Sequence, residues 1–285
     1  MNFDMGRTWQ EAVSLVKANF QLLALLAGVF MIIPGVIFMS TTPGLSELMV
    51  PGTDPEQMAA MFEGMAGTFI GVGLIAFLAQ SVGYMAMIAL MGRHRPTVGE
   101  AIGAGVKSLL PLIAAFLVFV IVYLVVSLLV MLVLGGTLAA LGAAGGGVTG
   151  GVGFFAIIVV FAIFFLIVFV MTRLSLTMPI IVLENTMNPF TALSESWKRT
   201  RANKWAIFGF YMLIVIAYLV LSMVIMMLVG AIFAVMPAGS TATFGLALAN
   251  SIIGAIVAML FSGILVSMHR QVSGETAAEI SETFE

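Results

Sequence analysis

The chain has 285 residues, 62% of them hydrophobic and 8% charged, with a formal net charge of −2 and no cysteine. Soluble domains carry about 25% charged residues, so this balance leaves no space for a soluble catalytic domain, and nothing in the charge points to nucleic acid. Without cysteine, disulfides, thiolate metal ligands and cysteine nucleophiles are excluded.

The N-terminal segment carries Asp4, Arg7, Glu11 and Lys17 ahead of the apolar run 20–39, and no small-residue cleavage pattern follows that run. It therefore reads as a retained first span, not a cleaved signal. Five further runs follow at 67–91, 109–134, 152–172, 205–236 and 244–268. Each can cross a hydrocarbon core of about 30 Å, which needs roughly 20 apolar residues as a helix. The fourth run continues past Arg173 through Pro179, where a kink or a turn along the membrane surface is expected. The glycine-rich stretch 135–153 reads as a flexible outer connector.

Charge sets the orientation. Arg7, Lys17, Arg93, Arg95, Lys107, the cluster around residue 200 and Arg270 all fall on one side if the N-terminus is cytoplasmic. The first outer loop holds Glu47, Asp54, Glu56 and Glu63 instead. The positive-inside rule then places both termini in the cytoplasm. Trp9, Trp197 and Trp205 lie at the same edge, where amphipathic rings favour the interface.

The loops also repeat. Thr8 with Glu11 and Thr97 with Glu100 read as capping boxes, and Asn188 followed by Pro189 as a third helix start. The three caps are 89 and 91 residues apart, and Ala12, Ala101 and Ala192 follow at one offset. Trp9, Val13, Val16 and Phe20 share a helical face, as do Val98, Ile102 and Leu109, and Phe190, Leu193 and Trp197. The expected fold is all-α and polytopic: six transmembrane helices as three repeated hairpins, each preceded by a cytoplasmic interfacial amphipathic helix. The whole chain, 1–285, is one membrane domain with units at about 7–92, 96–172 and 187–270, and a short acidic tail at 271–285. Parallel repeats of this kind occur in transporters.

The segment 173–205 is the most charge-dense, with Arg173, Lys198, Arg199, Arg201 and Lys204. These are candidates for binding an anionic lipid headgroup, since juxtamembrane basic residues gain about 1 kcal/mol each near an anionic leaflet. Topology alone also accounts for them. Glu195 and Arg199 have i,i+4 spacing. Arg173 and Glu184 sit beside apolar sequence and need not touch, and snorkelling to the interface explains both. Polar residues within the spans are Gln80, Tyr123, Ser127, Tyr218 and Ser222, which could line a transport path or hydrogen-bond between helices. Met58, Met61 and Met65 have a spacing that suits either a Cu(I) site or an apolar helix face. Small residues form stripes at Asn250, Gly254, Ala258 and Ser262, at Ala247, Ser251, Ala255 and Gly263, and in the second span at Gly67, Gly71, Ala79 and Gly83. They permit close helix packing, for which no second copy is required. His94 and His269 form no metal motif, and no phosphate loop or acid–base pair is present, so neither metal, cofactor nor enzymatic activity is expected.

The run RLSLTMPIIVLE, followed by NPFTALSESWKRTRANKW entering a long apolar span, resembles a family of bacterial integral membrane proteins. This is the membrane domain of glycerophosphoryl diester phosphodiesterase, and the YciC-like proteins are similar. Where such proteins are phosphodiesterases, the resemblance implies that a separate soluble barrel does the chemistry. That barrel is absent from this sequence, and His269-Arg270 is followed by Gln271 and an acidic tail. The expectation is a non-catalytic, multi-pass protein of the bacterial inner membrane that binds anionic lipid, a protein partner or a second copy in envelope homeostasis. The alternative is a small-molecule or lipid transporter.

Overall fold

The computed structural model describes residues 3–42, 55–92, 96–143, 150–234 and 240–273. Among these the chain is helical and contains no strand. The helices are α1 (Met5–Ala18), α2 (Phe20–Ala27), α3 (Ile33–Thr41), α4 (Pro55–Leu90), α5 (Val98–Ala143), α6 (Gly150–Leu174), α7 (Thr177–Leu183), α8 (Pro189–Arg199), α9 (Lys204–Ala234) and α10 (Ser240–Val272). Six segments are long and apolar enough to span a membrane: Phe20–Thr41, Glu63–Leu90, Val98–Leu128, Phe161–Leu183, Lys204–Ala231 and Phe244–Val272. The chain is a multi-pass membrane protein.

The first span is one helix with a wide turn. Gly28–Ile32, between α2 and α3, is π-helical. Pro34 follows and brings no N–H for the carbonyl four residues back, so the backbone widens where a normal turn would lose a bond and clash with the ring. Phe30 of this turn packs where a side chain on Gly83 of α4 would stand. Gly35 likewise lies so close to α10 that an added Cβ would meet Ser251 Oγ at 2.8 Å. Of the small-residue stripes, Ala247, Ser251, Ala255 and Gly263 pack inward, while Gly254, Gly67 and Gly71 meet nothing within 4 Å.

Three helix starts carry the expected chemistry in two cases and differ in the third. Thr97 N–H donates to Glu100 Oε2 at 2.8 Å and Glu100 N–H to Thr97 Oγ1 at 3.3 Å, a closed capping box. Asn188 accepts from Phe190 N–H and Thr191 N–H, with Pro189 at the first helical position. Thr8 is not a cap. α1 begins earlier, at Asp4, whose carboxylate accepts from Arg7 N–H at 3.0 Å, and the buried Thr8 hydroxyl donates to Asp4 O. Asp is as good an N-cap as Thr, and starting earlier frees Glu11 for a tertiary contact.

α5 also departs from expectation. It runs 46 residues without a break, through Pro111. That length is about 69 Å, more than twice the hydrocarbon core, so its first part cannot be a separate short helix and its ends lie outside the apolar layer. The glycine-rich stretch expected as a flexible connector is helical over 135–143 and 150–153, while 144–149 lies outside the described residues. Similarly, α4 already begins at Pro55, so the methionine segment is helical, though the side chains of Met58 and Met61 are not described. Pro179 does not kink a span. The chain breaks at Ser175 and Leu176, and Pro179 sits in the first turn of α7, where a missing N–H costs nothing. Asn185, at φ 52°, then ends α7 in the left-handed conformation that Asn tolerates.

Buried side chains concentrate where α4, α7 and α10 finish and where α5 and α9 begin. Met85, Met87, Ile88, Ile180, Ile181, Ile264 and Leu265 are among the largest fully buried residues. The far halves of α5, α6 and α9 present Leu124, Leu128, Phe161, Leu219 and Met223 outward, as a lipid-facing surface requires. Three close crossings tie the buried end together. A Cβ on Gly105 of α5 would meet Val82 O of α4 at 2.6 Å. One on Gly263 of α10 would meet Ala12 O of α1 at 3.0 Å and Val16 Cγ2 at 3.1 Å. Ser196 Oγ of α8 donates to Arg173 O of α6 at 2.9 Å.

Candidate functional site

Among the described residues, the side-chain hydrogen bonds and ion pairs that link distant helices gather at this packed end, in two adjacent clusters. The first is built on the last turn of α10. Ser267 Oγ donates to Glu11 Oε2 at 3.0 Å, and Arg270 Nη1 to Glu11 Oε1 at 3.2 Å. Arg270 Nη2 also donates to Met91 O at 2.9 Å, capping a carbonyl that the end of α4 leaves open. His269, 1% exposed, places Nε2 2.6 Å from Glu184 Oε1. Glu184 receives both Nη groups of Arg199 as a two-pronged pair. Arg199 Nε reaches Glu195 Oε2 at 3.7 Å, one turn away on α8. A single helix end thus pins α1, α4 and the α7–α8 junction.

Electrostatics favour the charged pair. Partial burial opposes ionisation of Glu184, but the hydrogen bonds from Arg199 and His269 and their charges outweigh it, holding its carboxyl below the usual range. The same bond from Glu184, stronger than the burial that opposes it, raises Arg199 above its ordinary value. Arg173 and Glu184 share no contact in this network. Since Glu184 is an ionised acceptor, His269 Nε2 carries the proton of that contact.

The second cluster centres on Arg173, at the end of α6. Its side chain does not snorkel: the residue is 3% exposed. Arg173 Nη2 donates to Trp197 O, and its guanidinium lies 4.4 Å from the centroid of the Trp197 ring. Nη1 is buried and has no hydrogen-bond partner. Arg201 is exposed and close enough for its charge to act on Arg173. Among the described residues no carboxylate pairs with Arg173, Arg201 or Lys204. Lys204 Nζ instead lies 5.8 Å from the Trp205 ring centroid.

The five basic candidates therefore divide. Arg199 belongs to the Glu184 network, and exposed Lys198 pairs with Glu195 at 3.1 Å. Arg173, Arg201 and Lys204 have no carboxylate partner among the described residues. The polar residues of the spans do not converge: Tyr123 and Tyr218 are exposed on different helices, Gln80 and Ser127 are half-buried, and Ser222 Oγ donates within its own helix to Leu219 O. No hydrogen bond joins any two of them. Among the described residues no group of three His, Asp or Glu could hold a metal ion. Sequence reasoning noticed Glu184 and His269 separately but missed their pairing. The signal was present, because ionisable residues that leave apolar helices beside one another are costly unless they pair.

Two apolar grooves open beside these clusters. One, about 380 Å³, lies between Phe119 and Val122 of α5, Val170 and Leu174 of α6, and Leu193 and Trp197 of α8. The other, about 490 Å³, lies between Phe210 and Leu213 of α9, Leu260 and Ile264 of α10, and Trp9 of α1.

Compared with known proteins, residues 154–273 match the family model for the membrane domain of glycerophosphoryl diester phosphodiesterase. The match takes in α7 and α8, both clusters' Arg173, Glu184, Arg199 and His269, and the groove of α9 and α10. No curated protein and no solved structure matches the chain.

Proposed function

We propose that the chain is a non-catalytic inner-membrane protein that binds anionic lipid through its basic segment, with both termini in the cytoplasm. The observation that carries this reading is Arg173: a guanidinium buried in an apolar span, with one nitrogen unpartnered among the described residues. Leaving a buried charged donor unsatisfied is expensive, and an anion on that nitrogen would satisfy it. A phosphate at the membrane surface is the abundant candidate.

The site stands in a body that we read as three copies of one unit. Ala12, Ala101 and Ala192, at matching offsets, are each 0% exposed. The crossings support the same register: Val82 and Arg173 are 91 residues apart, as are Gly105 and Ser196, and each pair meets backbone to small side chain. Gly263 and Val16 occupy the matching positions of the third crossing, there with the small residue on the span and the valine side chain on the short helix. In this reading α1, the start of α5, and α8 are the amphipathic helices of the three units, each lodged on the second span of the unit before it in a ring. The units differ in how the short helix joins its span. α1 breaks at Asn19 and α8 at residues 200–203, whereas α5 continues through Pro111.

Native mass spectrometry from mild detergent tests the lipid proposal. The wild type should retain a defined anionic lipid that Arg201→Ala with Lys204→Ala loses. Equal retention in both would make the basic segment a topological signal alone.

A further inference from the structure

We infer that the groove between α5, α6 and α8 holds one acyl chain of the anionic glycerophospholipid whose phosphodiester is held by Arg173. This rests on the lipid reading above and adds where the lipid's tail goes and why one groove, not both, is selective.

Trp197 joins the two halves of the site. Its ring packs against the Arg173 guanidinium, and the same side chain lines the groove. A headgroup on Arg173 and a chain in the groove would therefore share one indole as their common wall. The groove's volume, about 380 Å³, lies in the range of ligand pockets, about 300–1,000 Å³. Ser194 is its one polar side chain.

The second groove explains why charge, not shape, should set selectivity. Phe119 and Val122 correspond to Phe210 and Leu213 at a spacing of 91 residues, and Val170 and Leu174 to Leu260 and Ile264 at 90. Both grooves thus form where two spans of one unit splay and the next unit's short helix closes the base. In the second, the position matching Arg173 is Gly263, which is occupied by the crossing of α1. That groove has the apolar walls without the buried cation. It should accept lipid tails without regard to headgroup.

The test reads Trp197 alone, in a Trp9→Phe, Trp205→Phe background reconstituted in vesicles. Phosphatidylglycerol with brominated chains should quench Trp197 at several-fold lower mole fraction than brominated phosphatidylcholine. Arg201→Gln, which alters an exposed side chain, should reduce that preference at least threefold, and Arg173→Gln should abolish it. Filling the groove with Val122→Phe and Ser194→Phe should weaken quenching by both lipids. Excess glycerol 3-phosphate in solution should not restore fluorescence. Quenching unchanged by the groove-filling variants would overturn the acyl site, and displacement by glycerol 3-phosphate would make it a site for soluble phosphate. In either case anionic lipid still lost from Arg201→Ala with Lys204→Ala in mass spectrometry would leave the broader lipid reading standing. No lipid in that experiment would remove both.

Discussion

Gly105 and Gly103 lie two residues apart on α5 and should respond in opposite ways to the same substitution. A Cβ at Gly105 would stand 2.6 Å from a backbone oxygen of α4, which cannot move aside as a flexible side chain would, whereas Gly103 faces open space. Gly105→Ala should cost about 1–3 kcal/mol by overpacking, and Gly103→Ala should stabilise by about 0.5–1 kcal/mol through helix propensity. Unfolding in mixed detergent with SDS reads both. Glu184 makes a pH prediction. Its carboxyl is depressed in the folded protein, so its contribution is complete above the ordinary value of 4.5 and is lost as pH falls through the folded value. Wild-type melting temperature should drop through this acid range, and Glu184→Gln should be less stable at neutral pH with a flatter acid limb. A parallel acid limb in the variant would show that other groups govern the loss. At this scale the sequence was uneven as a guide. Arg173 could be singled out because a charge inside an apolar run is rare. Its burial beneath Trp197 could not, because that contact crosses 24 residues and depends on how α8 lands.

Helix starts were readable where a cap, a partner and an offset agreed, as at Thr97 and Asn188. They were misread at Thr8, since Asp4 offers the same chemistry one turn earlier and tertiary contacts decide between them. Helix continuity was harder. The run 109–134 contains Pro111, and α5 passes through it from Val98, since neighbouring helices and local adjustment can satisfy what proline frees. Asn188 should matter to α8 in proportion to its cap. Asn188→Ala should cost about 1 kcal/mol and speed hydrogen exchange at Phe190 and Thr191, whose N–H groups it accepts. Unchanged exchange at those two amides would mean that packing of Ala192, not the cap, holds the helix start.

The number of spans followed from composition, because hydrocarbon thickness fixes helix length regardless of partner. The arrangement of those spans was less visible, since packing between apolar helices leaves only small residues and faint periodicities as a trace. Orientation remains a matter of charge asymmetry, and the absence of cysteine makes it directly measurable. Single cysteines at Lys107 and Lys198 should react with a membrane-impermeant maleimide only in inverted vesicles, and one at Ser46 only in intact spheroplasts. The opposite pattern would reverse the topology and move the basic clusters away from the cytoplasmic leaflet.

On the proposed function, this membrane domain holds an anionic phospholipid and leaves it chemically intact. Phosphorus NMR of the protein reconstituted in mixed phosphatidylglycerol and phosphatidylcholine reads both parts at once. A broadened phosphatidylglycerol fraction should appear that high salt releases and Arg201→Ala with Lys204→Ala abolishes, with no new phosphorus signal over time. A growing phosphomonoester or glycerophosphodiester resonance, or no broadened fraction at all, would contradict it.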